Sequence, residues 1–239
     1  METKYQTLEC ELFTVTIQES EIFHIEIKPK GDQCDLLSFL KRTSDENDKE
    51  FLSKLCAIGY LNSYPKTKDK AWAVICQNKS PEDYRNGKTF FTKAFIPADK
   101  SAVVYSINCH PINPFMFQVP DGCRYYIVDD VYPGQNFWEL MFNYITGDWH
   151  YQAKGKRPAS IPFDKSPRII ITTAYPETYS KGTSFDERYW FLSFGNYYSQ
   201  RKFQGSDYSF YSTLIKDCMK CFETFGKIQA HILRKHERS

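Results

Sequence analysis

Two short stretches, Asn86-Gly87-Lys88-Thr89 and Tyr125-Tyr126-Ile127-Val128-Asp129-Asp130-Val131, decide how the rest of the chain reads. They stand about forty residues apart, the separation of a phosphate loop from the magnesium-binding carboxylate of a nucleotide-binding α/β domain. Gly87-Lys88-Thr89 at the start of a helix offers backbone N–H groups and the positive helix end to a phosphate. Lys88 would then reach the outer phosphates, and Thr89 would ligate Mg²⁺. The apolar strand ending in Asp129 and Asp130 supplies the other half of the metal site. The flanks agree: Ala71-Trp72-Ala73-Val74-Ile75-Cys76 predicts the strand before the loop, and Phe90 to Phe95 the first turns of the helix after it. One position departs from the pattern. Where it takes glycine so that backbone can wrap the phosphates, the chain has Glu82, a carboxylate.

Outward from this centre the chain alternates short apolar strands with helical stretches, the α/β signature. Strands are expected at 71–76, 102–107, 124–131, 168–173 and 188–194, and helices at 88–95 and 136–146. Ahead of the polar run Ser63 to Lys70, residues 8 to 30 alternate apolar and polar as a hairpin does. Asp35 to Lys41 and Asp48 to Leu61 carry helical spacing, and 206–235 reads as one long helix or two. The expected organisation is a hairpin and helical lead-in over 1–64, a nucleotide-binding domain with a central, mainly parallel sheet over 65–205, and a C-terminal helical segment over 206–239.

Composition narrows the field. A chain of 239 residues with 41% hydrophobic and 17% aromatic residues is globular, and its size suits one to two domains. A net charge of +2 gives no global attraction to nucleic acid or anionic lipid, so any nucleic-acid contact must come from a local patch. No apolar run has the length of a membrane span, and Met1 to Gln6 lacks the apolar core of a signal peptide. The expectation is a cytosolic chain with no membrane partner. Eight cysteines then read as reduced, mostly buried thiols. Cys218 and Cys221 have two readings. With His231 and His236 they spell Cys-x2-Cys-x9-His-x4-His, near a zinc-finger spacing but with a short middle spacer. They also fall in the helical apolar series Tyr211, Leu214, Ile215, Cys218, Cys221, Phe222, Phe225, which places both thiols inside a packed helix.

A local basic patch exists. Lys154, Lys156 and Arg157 surround Gly155 at what reads as a hairpin tip, flanked by Trp149 and Tyr151. Such a cluster suits phosphate contact and base stacking on single-stranded nucleic acid, and it also suits a solvated turn.

Taken in order, these pieces resemble a superfamily 3 helicase core of the AAA+ type, as in the helicase-like proteins of phages and mobile elements that often accompany a primase. The resemblance runs from about Asp35 to about Phe225. Phe51 to Leu61 is similar to the segment leading into the first core strand, Gly87-Lys88-Thr89 to the phosphate loop, and Asp129-Asp130 to the metal-binding strand. Lys154-Gly155-Lys156 falls at the hairpin that enters the ring channel, Pro167 to Thr173 at the sensor strand, and Gly182 to Arg188 at the loop ending in an arginine finger.

The resemblance implies a ring, usually a hexamer, with ATP and Mg²⁺ at subunit interfaces and single-stranded DNA in the channel. Lys88 and Thr89 would hold phosphates and Mg²⁺, while Asp129 and Asp130 would bind the metal and orient water. Arg188 would stabilise transition-state charge on a neighbour's nucleotide. A DNA-dependent NTPase replicating a phage or mobile element in the host cytosol, with priming left to a separate primase, is the function implied. The family's sensor strand ends in asparagine, whereas this chain reads Thr172-Thr173-Ala174. With Glu82, that departure sets out the alternative: a non-hydrolysing, degenerate ATPase-like protein that binds single-stranded DNA or a replication partner.

Overall fold

The computed structural model describes residues 5–18, 22–105, 115–132, 137–175, 187–201, 203, 205 and 207–235, with side chains at all of these except 5, 22, 137 and 227–235. The chain forms two compact units, residues 64–191 in one and residues 1–63 with 192–239 in the other.

The unit that holds both ends of the chain begins with an antiparallel sheet of β1 (Tyr5–Glu9), β2 (Phe13–Gln18) and β3 (Ile22–Ile27). Phe13 pairs with Ile27 and Val15 with Ile25. The alternating residues Phe13, Val15 and Ile25 are buried, which fixes the register. Helices α1 (Asp35–Thr43) and α2 (Asp48–Asn62) follow, and α5 (Tyr211–Lys235) closes the chain. Asn47 starts α2 by accepting the Glu50 N–H at 3.1 Å, a cap worth about 1 kcal/mol.

Every residue of α2 from Phe51 to Leu61 is buried. That includes Lys54, whose ammonium donates to Ser193 O (2.6 Å), Ser44 Oγ (3.0 Å) and Thr43 O (3.3 Å). Helix α5 lies along α2 so closely that a Cβ on Gly59 would stand 2.0 Å from the Cys218 carbonyl oxygen. Cys218 and Cys221 are fully buried in this packing. Burial pushes the Cys218 thiol well up, and a hydrogen bond with Cys10 together with burial does the same for Cys221. The side chain of His231 and all of His236 lie outside the described residues. Among the described residues no group of three His, Cys, Asp or Glu side chains is placed to hold a metal ion.

The middle unit is α/β. Its elements are β4 (Ala73–Asn78), α3 (Lys88–Phe95), β5 (Ser101–Tyr105), β6 (Tyr125–Asp129), α4 (Phe137–Thr146), β7 (Trp149–Tyr151), β8 (Ala159–Ile161), β9 (Arg168–Thr172) and β10 (Tyr189–Phe194), the last crossing into the other unit. Five strands form one sheet in the order β10-β4-β9-β6-β5, and β4, β9, β6 and β5 pair in parallel. This is the expected class, with strand bounds within a few residues of those read from the sequence. Strands β4 and β9 are buried along their whole length, as a parallel sheet covered on both faces requires. Ile75, Tyr126, Val128, Ile169 and Ile171 build one core face, against Trp138, Met141 and Ile145 of α4. The edge strand β5 is wetter, with Val103 and Tyr105 exposed.

The base of this unit holds a buried amine. Lys66 is 3% exposed and donates to Ser166 Oγ at 3.0 Å, with the carbonyls of Tyr144 and Pro167 at 3.5 Å and the Phe163 ring 4.6 Å away. Burial, with a smaller contribution from the Arg168 guanidinium, lowers its pKa to about 7. In the unfolded chain the same amine holds its proton to about pH 10. Between those values the unfolded form binds the extra proton, so stability rises with pH, by at most about 1.4 kcal/mol per unit. Below about pH 7 both forms are protonated and the full cost of burying the charge is present. Urea unfolding at pH 7 and pH 9 should therefore show a gain in stability that Lys66→Met abolishes. Equal slopes in the two proteins would refute it. No helix among the described residues is long and apolar enough to cross a membrane.

Candidate nucleotide site

Strand order brings the decisive stretches together. In the sheet, β9 lies between β4 and β6, so the loop after β4 and the carboxylates ending β6 meet across the end of β9. This is the carboxyl end of a parallel sheet, where α/β folds place ligands.

Gly87 enters α3 with φ of 100°, a left-handed conformation that glycine adopts at no steric cost. Helix α3 then begins at Lys88, with Thr89 exposed in its first turn. Glu82 is exposed. The bend at the start of the loop is instead built by Ser80 and Asp83: the Ser80 N–H donates to Asp83 Oδ2 and the Asp83 N–H to Ser80 O, both at 3.0 Å.

Lys88 is half-buried, and its ammonium donates to the amide oxygens of Asn78 and of Asn86, the second at 3.0 Å. Burial pushes its pKa down, against the opposing pull of the Cys76 thiol and of the carboxylates of Asp130, Asp83 and Asp129. The Lys88 ammonium thus sits at the end of β4, one strand removed from the aspartates ending β6. Asp129 takes the Thr172 hydroxyl on Oδ1 at 2.5 Å, and the same hydroxyl oxygen accepts the Asp130 N–H at 2.9 Å. Asp130 adopts φ of 62°, a conformation Asp tolerates. The next turn is pinned by Thr173, whose hydroxyl donates to Val131 O at 2.8 Å and whose N–H reaches Cys76 O at 3.0 Å.

Sequence reasoning looked for an amide at the end of the sensor strand and found Ala174. The polar group at that place is Thr172, the last residue of β9, two positions earlier and already bonded to Asp129. Asn78 and Asp83 were also missed, and Asn86, though part of the decisive stretch, was given no role. Only a polar residue closing an apolar strand, Asn78 after Ala73 to Cys76, pointed to any of them.

Arg188 lies elsewhere. Its carbonyl accepts the N–H of Ala73, the first residue of β4, and its guanidinium sits 5.1 Å from the Phe142 ring. The loop to α3 leaves the opposite end of β4, about 17–20 Å away by strand length, so Arg188 does not join the candidate site of its own chain. Residues 182–186 of the same loop lie outside the described residues.

The basic hairpin is formed by β7 and β8, paired antiparallel from Trp149–Ile161 to Tyr151–Ala159. Gly155 turns its tip with φ of 72°, and Lys154, Lys156 and Arg157 are exposed there. Trp149 does not serve as a stacking platform. It is fully buried, donates its indole N–H to Phe117 O at 2.9 Å and meets the Tyr126 and Tyr144 rings at 4.8 Å. It anchors the hairpin, and the exposed aromatic edge left to the tip is that of half-buried Tyr151.

The donor set suits Mg²⁺ with a nucleotide. Two carboxylates and a hydroxyl are the hard oxygen ligands that ion takes, and a lysine at a helix start suits phosphate. Asp129, Asp130 and Thr89 would hold the metal, and Gly87 and Lys88 the phosphates.

No protein-family model matches the chain, and no curated protein matches it. Among solved structures, the apo A form of the C-terminal region of NrS-1 superposes with a TM-score of 0.50 at 11% identity, over 79% of this chain and 44% of that one. The JCV helicase, crystallised with a thiazolopyridine ligand, superposes at a TM-score of 0.41 and 14% identity, over 85% of this chain and 67% of that one. The chain thus spans under half the length of the NrS-1 region, with which it shares a fold.

Proposed function

We propose that this chain is a DNA-dependent NTPase of superfamily 3 helicase type, acting in the replication of a phage or mobile element. The observation that carries the reading is the meeting of Lys88, Asp129, Asp130 and Thr172 at the carboxyl ends of β4, β6 and β9. Lys88 and the N–H groups opening α3 hold the phosphates. Asp129 holds the cation, and Thr172 keeps its carboxylate in one orientation. Asp130 and Thr89 complete the cation's ligands, and the aspartate pair also orients the attacking water. Bound Mg²⁺ supplies Lewis acidity and neutralises phosphate charge. The exposed tip residues Lys154, Lys156 and Arg157 contact the backbone of single-stranded DNA. In a ring of copies, Arg188 serves the nucleotide of a neighbour, since it lies far from its own.

The testing experiment is ATP hydrolysis by the purified chain with and without single-stranded DNA. Stimulated turnover supports the motor. DNA binding without turnover would leave the non-hydrolysing scaffold, a reading favoured by Glu82 in the loop. The hairpin has its own prediction. Lys154→Ala with Lys156→Ala should weaken single-stranded DNA binding and lower the slope of log K against log salt by about 1.4, about 0.7 for each phosphate of a single strand that is no longer neutralised. An unchanged slope would remove the hairpin from the interface.

A further inference from the structure

The loop between β4 and α3 lacks the glycine that would let its backbone wrap phosphate, and it carries a side-chain brace centred on Asn78. Asn78 is 1% exposed and closes β4. Its Nδ2 donates to the Asp83 carbonyl, and its Oδ1 accepts both from Lys88 Nζ and, at 2.9 Å, from Asn86 Nδ2. Asn86, also 1% exposed, offers its own Oδ1 to Lys88 at 3.0 Å. The loop's Asp83 carboxylate accepts the Ser80 N–H. The ammonium is thus bonded to two neutral amide oxygens.

That choice of partner matters. A buried ion pair breaks only at the cost of leaving a carboxylate uncompensated, whereas two amide oxygens release an ammonium without stranding a charge. We propose that Asn78 is the positioning residue of this loop: its amide ties the Asp83 turn to the end of β4 and parks Lys88 on an uncharged latch, from which a nucleotide phosphate takes it. The assignment rests on the nucleotide reading of the site and deepens it. A carboxylate in place of the amide would keep the acceptor and convert the latch into a lock.

The test is Asn78→Asp beside Asn78→Ala, with melting temperature as the check on folding. Two quantities are read: hydrogen exchange of the loop amides over 79–87 in the absence of nucleotide, and the affinity for a fluorescent ATP analogue. In both variants the tie from the Asn78 amide to the Asp83 carbonyl is lost, so exchange over 79–87 should speed by about tenfold. In Asn78→Asp the carboxylate holds the Lys88 ammonium, and the analogue should bind about tenfold more weakly than to Asn78→Ala. Exchange equal to wild type in both variants, or equal affinities of the two variants, would overturn the latch. If the wild-type chain binds no ATP analogue, the nucleotide reading fails, while the exchange rates still decide whether Asn78 braces the loop.

Discussion

Lys88→Ala should lower DNA-stimulated ATP turnover by about 10²–10³-fold, the cost of removing one preorganised positive group from a site where phosphate charge develops. The geometry makes the loss direct. Lys88 stands at the start of α3, half-buried, with Asp129 and Asp130 in its field, so water screens its charge only in part. Asp129→Ala should cost as much, by removing a metal ligand. Thr172→Val should cost less, about tenfold, and leave nucleotide affinity near wild type, because it frees Asp129 from the 2.5 Å hydrogen bond without removing the carboxylate. Steady-state phosphate release at saturating ATP and single-stranded DNA measures the first quantity, and titration with a fluorescent ATP analogue the second. Turnover unchanged in Lys88→Ala would remove this site from the chemistry. Turnover lost equally in Thr172→Val and Asp129→Ala would mean the hydroxyl acts on the nucleotide itself as well as on Asp129.

The strands were legible as short apolar runs bounded by polar residues, but their ends were placed one or two residues off: β4 at Cys76 instead of Asn78, β6 at Val131 instead of Asp129 and β9 at Thr173 instead of Thr172. Alternation in the lead-in likewise marked β2 and β3. The five residues of β1 were passed over, since Tyr5-Gln6-Thr7-Leu8-Glu9 has too short an apolar series to stand out. Neighbour relations were not legible from local pattern at all. Periodicity shows that a segment is a strand and which face is apolar, yet nothing in it places β9 between β4 and β6. Hence Thr172 was read past, though it touches Asp129 across 43 positions of sequence. Trp149 was misread for a related reason. Beside a basic tip it looked like a stacking surface, but its partners Phe117, Tyr126 and Tyr144 come from three other segments, and together they bury it.

Gly59→Ala should be strongly destabilising. An added Cβ would lie 2.0 Å from the Cys218 carbonyl oxygen, 2.6 Å from its carbon and 2.8 Å from Phe222 Cβ, all closer than real contacts allow. Two of these are backbone atoms of α5, so relief requires α2 and α5 to move apart. That motion would loosen Leu55, Ile58, Leu214 and Phe225, all fully buried. Overpacking of this kind costs about 1–3 kcal/mol where side chains can yield, and rigid helix backbones push the cost above that range. Against a typical total of about 5–15 kcal/mol, such a loss removes much of the stability of the unit. The contrasting site is Gly155, where φ is 72° and nothing lies within 4 Å of an added Cβ. There alanine meets only the backbone penalty of the left-handed conformation, about 1–2 kcal/mol. Chemical denaturation of both variants measures the difference. Gly59→Ala should lose clearly more than Gly155→Ala, because the first glycine is required for space between helices and the second only for a turn. A smaller loss at Gly59 would mean that α2 and α5 are not in backbone contact at that position.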